Sequence, residues 1–465
     1  MSLPEQKIPE LESANETQGS PERKLPTSVD VVIIGGGLSG KALASRLGSD
    51  VSFAIIDSRK QGKSKEAMYL VTSSTAQRWG ISNQERSRRN LVTNCVWYAP
   101  NGEVTEKLST SGEREGFAIT PQTAMEGAVR VDPTKIFYET KFLKVDDSQE
   151  GKMVVHTDKG EIKGNLIIDA TGWEANVIHG YYGSEDYIIN AVYGGNFQTQ
   201  GFDPSTMSFF RGSLLNNKNW VMPIGPQGAE VVAAQQTQRS EADKWWLDHA
   251  RTEFDNMVAL YRAKGQIIVN NKQGRKQGRQ MGFRLEPAKR KFYKSRVVPF
   301  GESAGLNSPL IGQLVDVLPE YAQRMANMIN QAKTDGSWDH VGRKFYRSFI
   351  TDAPYSYLIH SVMRDNSIRL QHGYPTINKK VTEALKTVFD EDKLWETLRD
   401  NGLSAKDLAL LLKAHPLQLA EFAIQSTPAL LSILIHNPEL YAQFVAGLTK
   451  DTLRRKQTLT DIYRA

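Results

Sequence analysis

Residues 28–57 read SVDVVIIGGGLSGKALASRLGSDVSFAIID, and this stretch decides how the chain is read. Val29 and Val31 to Ile34 form an apolar run that stops at Gly35, Gly36 and Gly37. Leu38, Ala42, Leu43 and Leu47 then recur at helical spacing, and VSFAIID reads as a second buried strand ending at Asp57. The strand–turn–helix–strand unit carries Gly35-x-Gly37-x-x-Gly40 at its turn. The first glycine permits the tight turn, the second lets backbone approach a pyrophosphate, and the third lets helix and strand pack closely. The helix start offers free N–H groups and a positive dipole end. A carboxylate closing the second strand suits a ribose hydroxyl and repels a 2′-phosphate. The stretch therefore predicts a bound dinucleotide, with Gly35, Gly37, Gly40 and Asp57 contacting it.

Around this unit the chain changes character several times, without an internal repeat. Residues 1–27 are polar and rich in Glu, Ser and Pro, which predicts a disordered tail with no apolar core of a secretory signal. Residues 28–180 and 296–332 are expected to form one discontinuous α/β domain. Residues 181–295 are expected to form an antiparallel β-sheet subdomain, and 333–465 an all-α region. No apolar run approaches the roughly 20 residues that span a bilayer. The lone cysteine, Cys95, excludes an intrachain disulfide, reads as packing and fits a reducing cytoplasmic compartment. No His pair has ligand spacing, so no metal is expected. Ser303 lacks the context of a hydrolase nucleophile.

The net charge of +6 is unevenly spread: residues 262–296 hold twelve Lys/Arg against the single acid Glu286. Such a block suits phosphate or a peripheral contact with an anionic membrane surface, or else is a solvated loop. No nucleic-acid-binding motif accompanies it, so nucleic acid is not an expected partner.

Two further segments carry glycines to strand ends. GNLIIDATG delivers Asp169 and Gly172, and RVVPFGESAG delivers Gly301, Glu302 and Gly305. Together with the first motif they resemble the FAD-binding fold of the p-hydroxybenzoate-hydroxylase-like flavoproteins. The resemblance implies an α/β, Rossmann-like FAD-binding domain with an interleaved antiparallel substrate sheet, and FAD held by these three motifs. Within that group the order IIDATG, NAVYGGNF, NWVMPIG, VVAAQQT and GESAGLNSPLIGQLVDVLP most resembles the lycopene cyclases and geranylgeranyl reductases. This implies a long hydrophobic isoprenoid or carotenoid-like substrate, with NAD(P)H as a candidate electron donor.

Departures from the family pattern sharpen the expectation. Glu302 stands where the family has Asp, and Pro121 where it has an arginine on the diphosphate. Gln235 and Gln236 stand where cyclases carry a carboxylate pair, and an amide cannot exchange a proton at working pH. Double-bond reduction or flavin-assisted isomerisation is thus at least as compatible as cyclisation. Trp220, Gln235 and Gln236 are the candidate substrate contacts, against the plainer reading of a core tryptophan and polar strand-end residues. No catalytic residue is assigned. Two other readings stay open: an NAD(P)H-dependent monooxygenase of small aromatic compounds, and a relative that binds FAD or lipid without turnover.

Overall fold

The structure is a computed structural model and describes residues 23–352, apart from 64–67, 83–90, 99–102, 110–116, 148–150, 212–217, 226–227, 246–248, 265–266, 269–277, 285–289 and 308–313. The helical region expected after 333 is seen as the end of helix Leu318–Asp335 and as helix Val341–Asp352; 353–465 lie outside the described residues.

The first motif's strand is the middle of a seven-stranded sheet. In order its strands are Ile136–Phe137, Phe53–Ile56, Ser28–Ile34, Gly160–Asp169, Met153–Thr157 and Phe142–Asp147, with Val297–Pro299 also against Gly160–Asp169. Ser28–Ile34 is buried on both faces beyond its first residue, as a parallel strand sandwiched by helices must be. Leu43 and Ala42 of helix Leu38–Ala44 share its core with Ala322, Met325 and Ile329 of helix Leu318–Asp335.

Register explains why three distant glycine motifs meet. Ile34 pairs in parallel with Ile56 and with Asp169, and Asp169 with Pro299. The ladder continues one step further: Gly35 N–H donates to Ile56 O, Ala170 N–H to Ile34 O and Phe300 N–H to Asp169 O, each at 2.8 Å. Four carboxyl-terminal strand ends thus lie side by side, and ligands of open parallel sheets bind at such ends.

An eight-stranded sheet runs Ile267–Ile268, Ile188–Thr199, Gly228–Gln238, Lys218–Gly225, Thr206–Arg211, Asn94–Tyr98 and Val104–Ser109, with Gly278–Arg284 also on Ile188–Thr199. Asn94–Tyr98 and Val104–Ser109 belong here although they precede residue 181, because Asn94–Tyr98 pairs in parallel with Thr206–Arg211. The sheet's outer face packs Val231 and Ala233 on Phe254, Met257 and Val258 of helix Arg251–Ala263. Its inner face packs Cys95, Met207 and Met222 on Phe117, Ile119 and Val92 of a three-stranded sheet built from Met68–Val71, Phe117–Pro121 and Leu91–Val92. Burial pushes the Cys95 thiol up to about 12, which leaves it inert.

The basic block lies largely outside the described residues. Two of its cations are already paired: Lys291 with Glu185, and Arg296 with Asp339 at 2.7 Å. No helix among the described residues is long and apolar enough to cross a membrane.

Close packing makes Gly40 a test of the fold. A Cβ there would meet the carbonyl oxygen of Gly35 and come within 3.2 Å of the Ile33 side chain. Gly40→Ala is expected to cost about 1–3 kcal/mol in denaturant unfolding. Gly127→Ala, with nothing within 4 Å of the added carbon, is expected to be neutral or stabilising.

Candidate functional site

At the strand ends the glycines divide by role. Gly35 has φ +107°, and a Cβ on it would strike Ala170. One on Gly36 would lie 2.5 Å from Asp57 Oδ2. Gly37 is different: its added carbon meets only Arg59 Nη2, at 3.9 Å. Gly37 also caps helix Leu38–Ala44 with no side-chain hydrogen bond. The open point of the cradle is therefore Gly37, while Gly35 and Gly40 serve its construction.

Asp57 accepts from Gly36 N–H at 3.0 Å and holds the Arg59 guanidinium through Nε at 3.1 Å and Nη2 at 2.7 Å. Arg59 in turn lies 3.6 Å from Glu126, whose carboxylate also takes Lys41 Nζ at 3.0 Å and Gln122 Nε2 at 2.5 Å. Burial works against the Arg59 charge, but the Asp57 hydrogen bonds and the two carboxylates hold its pKa above the usual range. Pro121 caps helix Gln122–Ala128 in extended conformation and so sets Gln122 and Glu126 at the cleft. Where the resemblance implies an arginine near a diphosphate, this chain supplies a proline and, one helical turn on, a buried acid. Two cations, Lys41 and Arg59, face two anions, Asp57 and Glu126. Sequence reading missed Arg59, Lys41 and Glu126, because nothing local to residue 126 points at residue 41.

Tyr69 ties the third motif to this group. Its hydroxyl donates to Gln122 at 3.1 Å. Burial chiefly, then the charges of Glu302 and Glu126, raise its pKa. Half-buried Glu302 thus faces the same region from the other side. Gly301 (φ +72°) abuts the Ser39 side chain, and Gly305 (φ +68°) closes the turn Gly301–Ala304 in left-handed conformation. That closure changes one expectation: the α-helix opens only at Leu318, not directly on the GESAG segment.

Asp169 also differs from its expected role. Its side chain is 0% exposed and accepts from Thr171 N–H (3.0 Å), Thr171 Oγ1 (2.7 Å), Val177 N–H (3.0 Å) and Ile178 N–H (2.9 Å). It braces the turn through Gly172 (φ +89°) and the start of helix Asn176–Tyr182, with no surface left for a ligand. Ser303, equally buried, donates to the Asp169 carbonyl and is a pin between motifs, not a nucleophile.

The opposite wall is the inner face of the eight-stranded sheet. Gln235 pairs with Ala191 and Gln236 with Asn190, so the two glutamines fall on opposite faces. Gln235 shares the outer face with Val231 and Ala233, beneath the helix; its Oε1 is buried there without a hydrogen bond. Gln236 shares register with the inner-face positions Ala234 and Val232; its side chain lies outside the described residues. Half-buried Trp220 is on the inner face against Val192, Val232 and Ala234. Trp220 and Gln236 therefore share a face that Gln235 does not.

That face carries an acid the motif search passed over. Glu230 stands opposite Met222 and Asn196, half-buried, and burial pushes its carboxyl from 4.5 up to about 7. Between these values the folded protein keeps a proton that the unfolded chain releases, so this group makes stability fall as pH rises from about 4.5 to about 7. Glu230→Gln is expected to flatten that slope and to stabilise the protein at pH 8 by on the order of 2 kcal/mol, read from urea midpoints across the pH range.

No protein-family model matches the chain, and no curated protein does. Among solved structures it is similar to a geranylgeranyl bacteriochlorophyll reductase-like protein from Thermoplasma acidophilum, with TM-score 0.59 and 17% identity over 86% of this chain and 99% of that one. The flavin-dependent brominase Bmp2 gives 0.56 and 13% over 86% and 100%. PqsL, a probable FAD-dependent monooxygenase from Pseudomonas aeruginosa, gives 0.52 and 16% over 74% and 96%. Identities this low speak to architecture. The chain has the Rossmann-type, p-hydroxybenzoate-hydroxylase-like fold that these flavoproteins share.

Proposed function

We propose that the cleft binds FAD and that the chain is an FAD-dependent oxidoreductase acting on a long apolar, isoprenoid-like substrate. The observation that carries this is the convergence of three glycine motifs at four adjacent parallel strand ends, with Gly37 left open beside a helix start. The residues present fit a dinucleotide there: Gly37 admits close backbone approach, and Lys41 and Arg59 are cations within reach of a diphosphate. Bound FAD would supply two-electron hydride chemistry. The chain's own part is to hold and orient. Asp57 keeps Arg59 in place, and the inner face of the sheet offers Trp220, Val192 and Val232 to an apolar body. The amides at 235 and 236 move no proton, which favours reduction of a double bond over acid-started cyclisation. Reduced nicotinamide is the electron donor this reading names.

Glu126 makes the reading testable at the level of binding. Its carboxylate engages Lys41 and Arg59, the two cations a diphosphate would use. Glu126→Gln removes a competing anion and is expected to tighten FAD binding about tenfold, ~1.4 kcal/mol, in a flavin-fluorescence titration. Arg59→Ala is expected to weaken it by a similar factor. A purified protein that is colourless and takes up no FAD in the same titration would overturn the flavoenzyme reading. With FAD bound, anaerobic bleaching by NADPH that requires an aromatic compound would favour the monooxygenase reading instead.

A further inference from the structure

The search for an acid at the Gln235–Gln236 pair ends elsewhere on the same strand. Alternation along Gly228–Gln238 places 230, 232, 234 and 236 on the inner face, and the pairing with Ile188–Thr199 runs without a register shift. Glu230 is therefore on the face of Trp220, not the face of the helix. Across the ladder it meets Met222, which packs with Met207, Cys95, Phe117 and Ile119.

In this apolar setting the carboxyl of Glu230 has no hydrogen bond or ion pair among the described residues, and burial alone shifts it. Other secluded acids of the chain are provided for. Asp30 has Ser52 and Lys333, Asp57 has Arg59, Glu126 has Lys41, Asp169 has four donors, Glu253 has Asn219 and Asp316 has Thr75. An unpaired, secluded carboxyl is costly in a protein interior and is retained where it meets something from outside.

A second, independent observation lies at the other end of the strip. Asn190, 7% exposed, is on the same face, and its Oδ1 is buried without a hydrogen bond. From Glu230 to the Asn190–Gln236 pair the strand advances six residues, roughly 20 Å. The positions between are apolar: Val232, Ala234, Val192 and Trp220. The Asn190 end borders the glycine cleft, because Gly278–Arg284, which pairs with Ile188–Thr199, contacts the turn Gly301–Ala304.

We propose that Glu230 anchors the hydroxyl terminus of a long apolar ligand whose other end lies near Asn190 at the glycine cleft. The inference rests on the substrate class proposed above and narrows it. An unpaired carboxyl beside no cation takes a neutral hydrogen-bonding group and rejects a diphosphate, so the ligand is a free alcohol and not a prenyl diphosphate. Glu230 is here a recognition residue, with no part in the bond-making step.

Quenching of tryptophan fluorescence in the full chain, with and without FAD, tests this with three probes: geranylgeraniol, geranylgeranyl diphosphate and the hydrocarbon of the same skeleton. The alcohol is expected to bind about tenfold more tightly than the hydrocarbon, with the diphosphate weakest. Glu230→Leu is expected to bring the alcohol down to the hydrocarbon's affinity and leave the hydrocarbon unchanged. Glu230→Gln, which still donates and accepts, is expected to keep the preference. Far-UV circular dichroism and a cooperative melt establish that both variants fold. An alcohol preference that survives in folded Glu230→Leu, equal binding of alcohol and hydrocarbon by the unaltered protein, or binding of none of the probes would each overturn the proposal. FAD uptake is read separately by flavin fluorescence, so failure of the flavoenzyme reading and failure of the anchor are distinguishable.

Discussion

Asp169 is the residue on which the three-motif cleft depends. Its backbone pairs with Ile34 on one side and Pro299 on the other, and its carbonyl receives Phe300 N–H and the Ser303 hydroxyl. Its carboxylate, fully buried, would be expelled by desolvation alone. Four hydrogen bonds from Thr171, Val177 and Ile178 offset that cost without bringing its pKa back to the ordinary value. Through this one side chain the second motif becomes rigid, and through its backbone the first and third are set at fixed distance from it. An acid that sequence reading assigns to a cofactor thus acts by holding together the frame around the cofactor's place.

Within that frame the cleft is charge-balanced rather than positive. Arg59 and Lys41 are spent on Asp57 and Glu126 in the protein alone. A dianionic diphosphate entering there meets cations that already have partners, so its affinity is set by how far the Glu126 pairings yield. The proline at 121 matters in the same way: it removes a cation and starts the helix that brings Glu126 in. The opposite wall is apolar between two unsatisfied polar groups, Asn190 and Glu230, and its chemistry suits a ligand that is mostly hydrocarbon.

Much of this was legible before the structure. The glycine spacing, the apolar strand before it and the acid after it are local features, and local sterics and hydrogen bonding are enough to interpret them. The strand endings at Asp169 and Gly301 are legible for the same reason. The third motif was only half legible, because the left-handed Gly305 breaks the chain out of the expected helix start. Glu230 carried a signal that could have been used: it stands in step with 232, 234 and 236, an acid in an otherwise apolar alternation. What sequence could not say is that this phase faces inward, and that Gln235, one residue out of phase, lies under the helix Arg251–Ala263.

The sequence by itself determined that a strand, a glycine turn and a helix build a dinucleotide cradle near Gly37, since each step needs only neighbours along the chain. Tertiary structure alone decided which charges surround that cradle. The Lys41–Glu126 pair joins residues 85 apart in the chain, and the Asp57–Arg59 pair meets it only because four strands end in register. It also decided that Glu230 is an unpaired acid, because desolvation is the sum of everything packed around a group, and the Met222 and Phe117 layers that exclude water from it come from other strands.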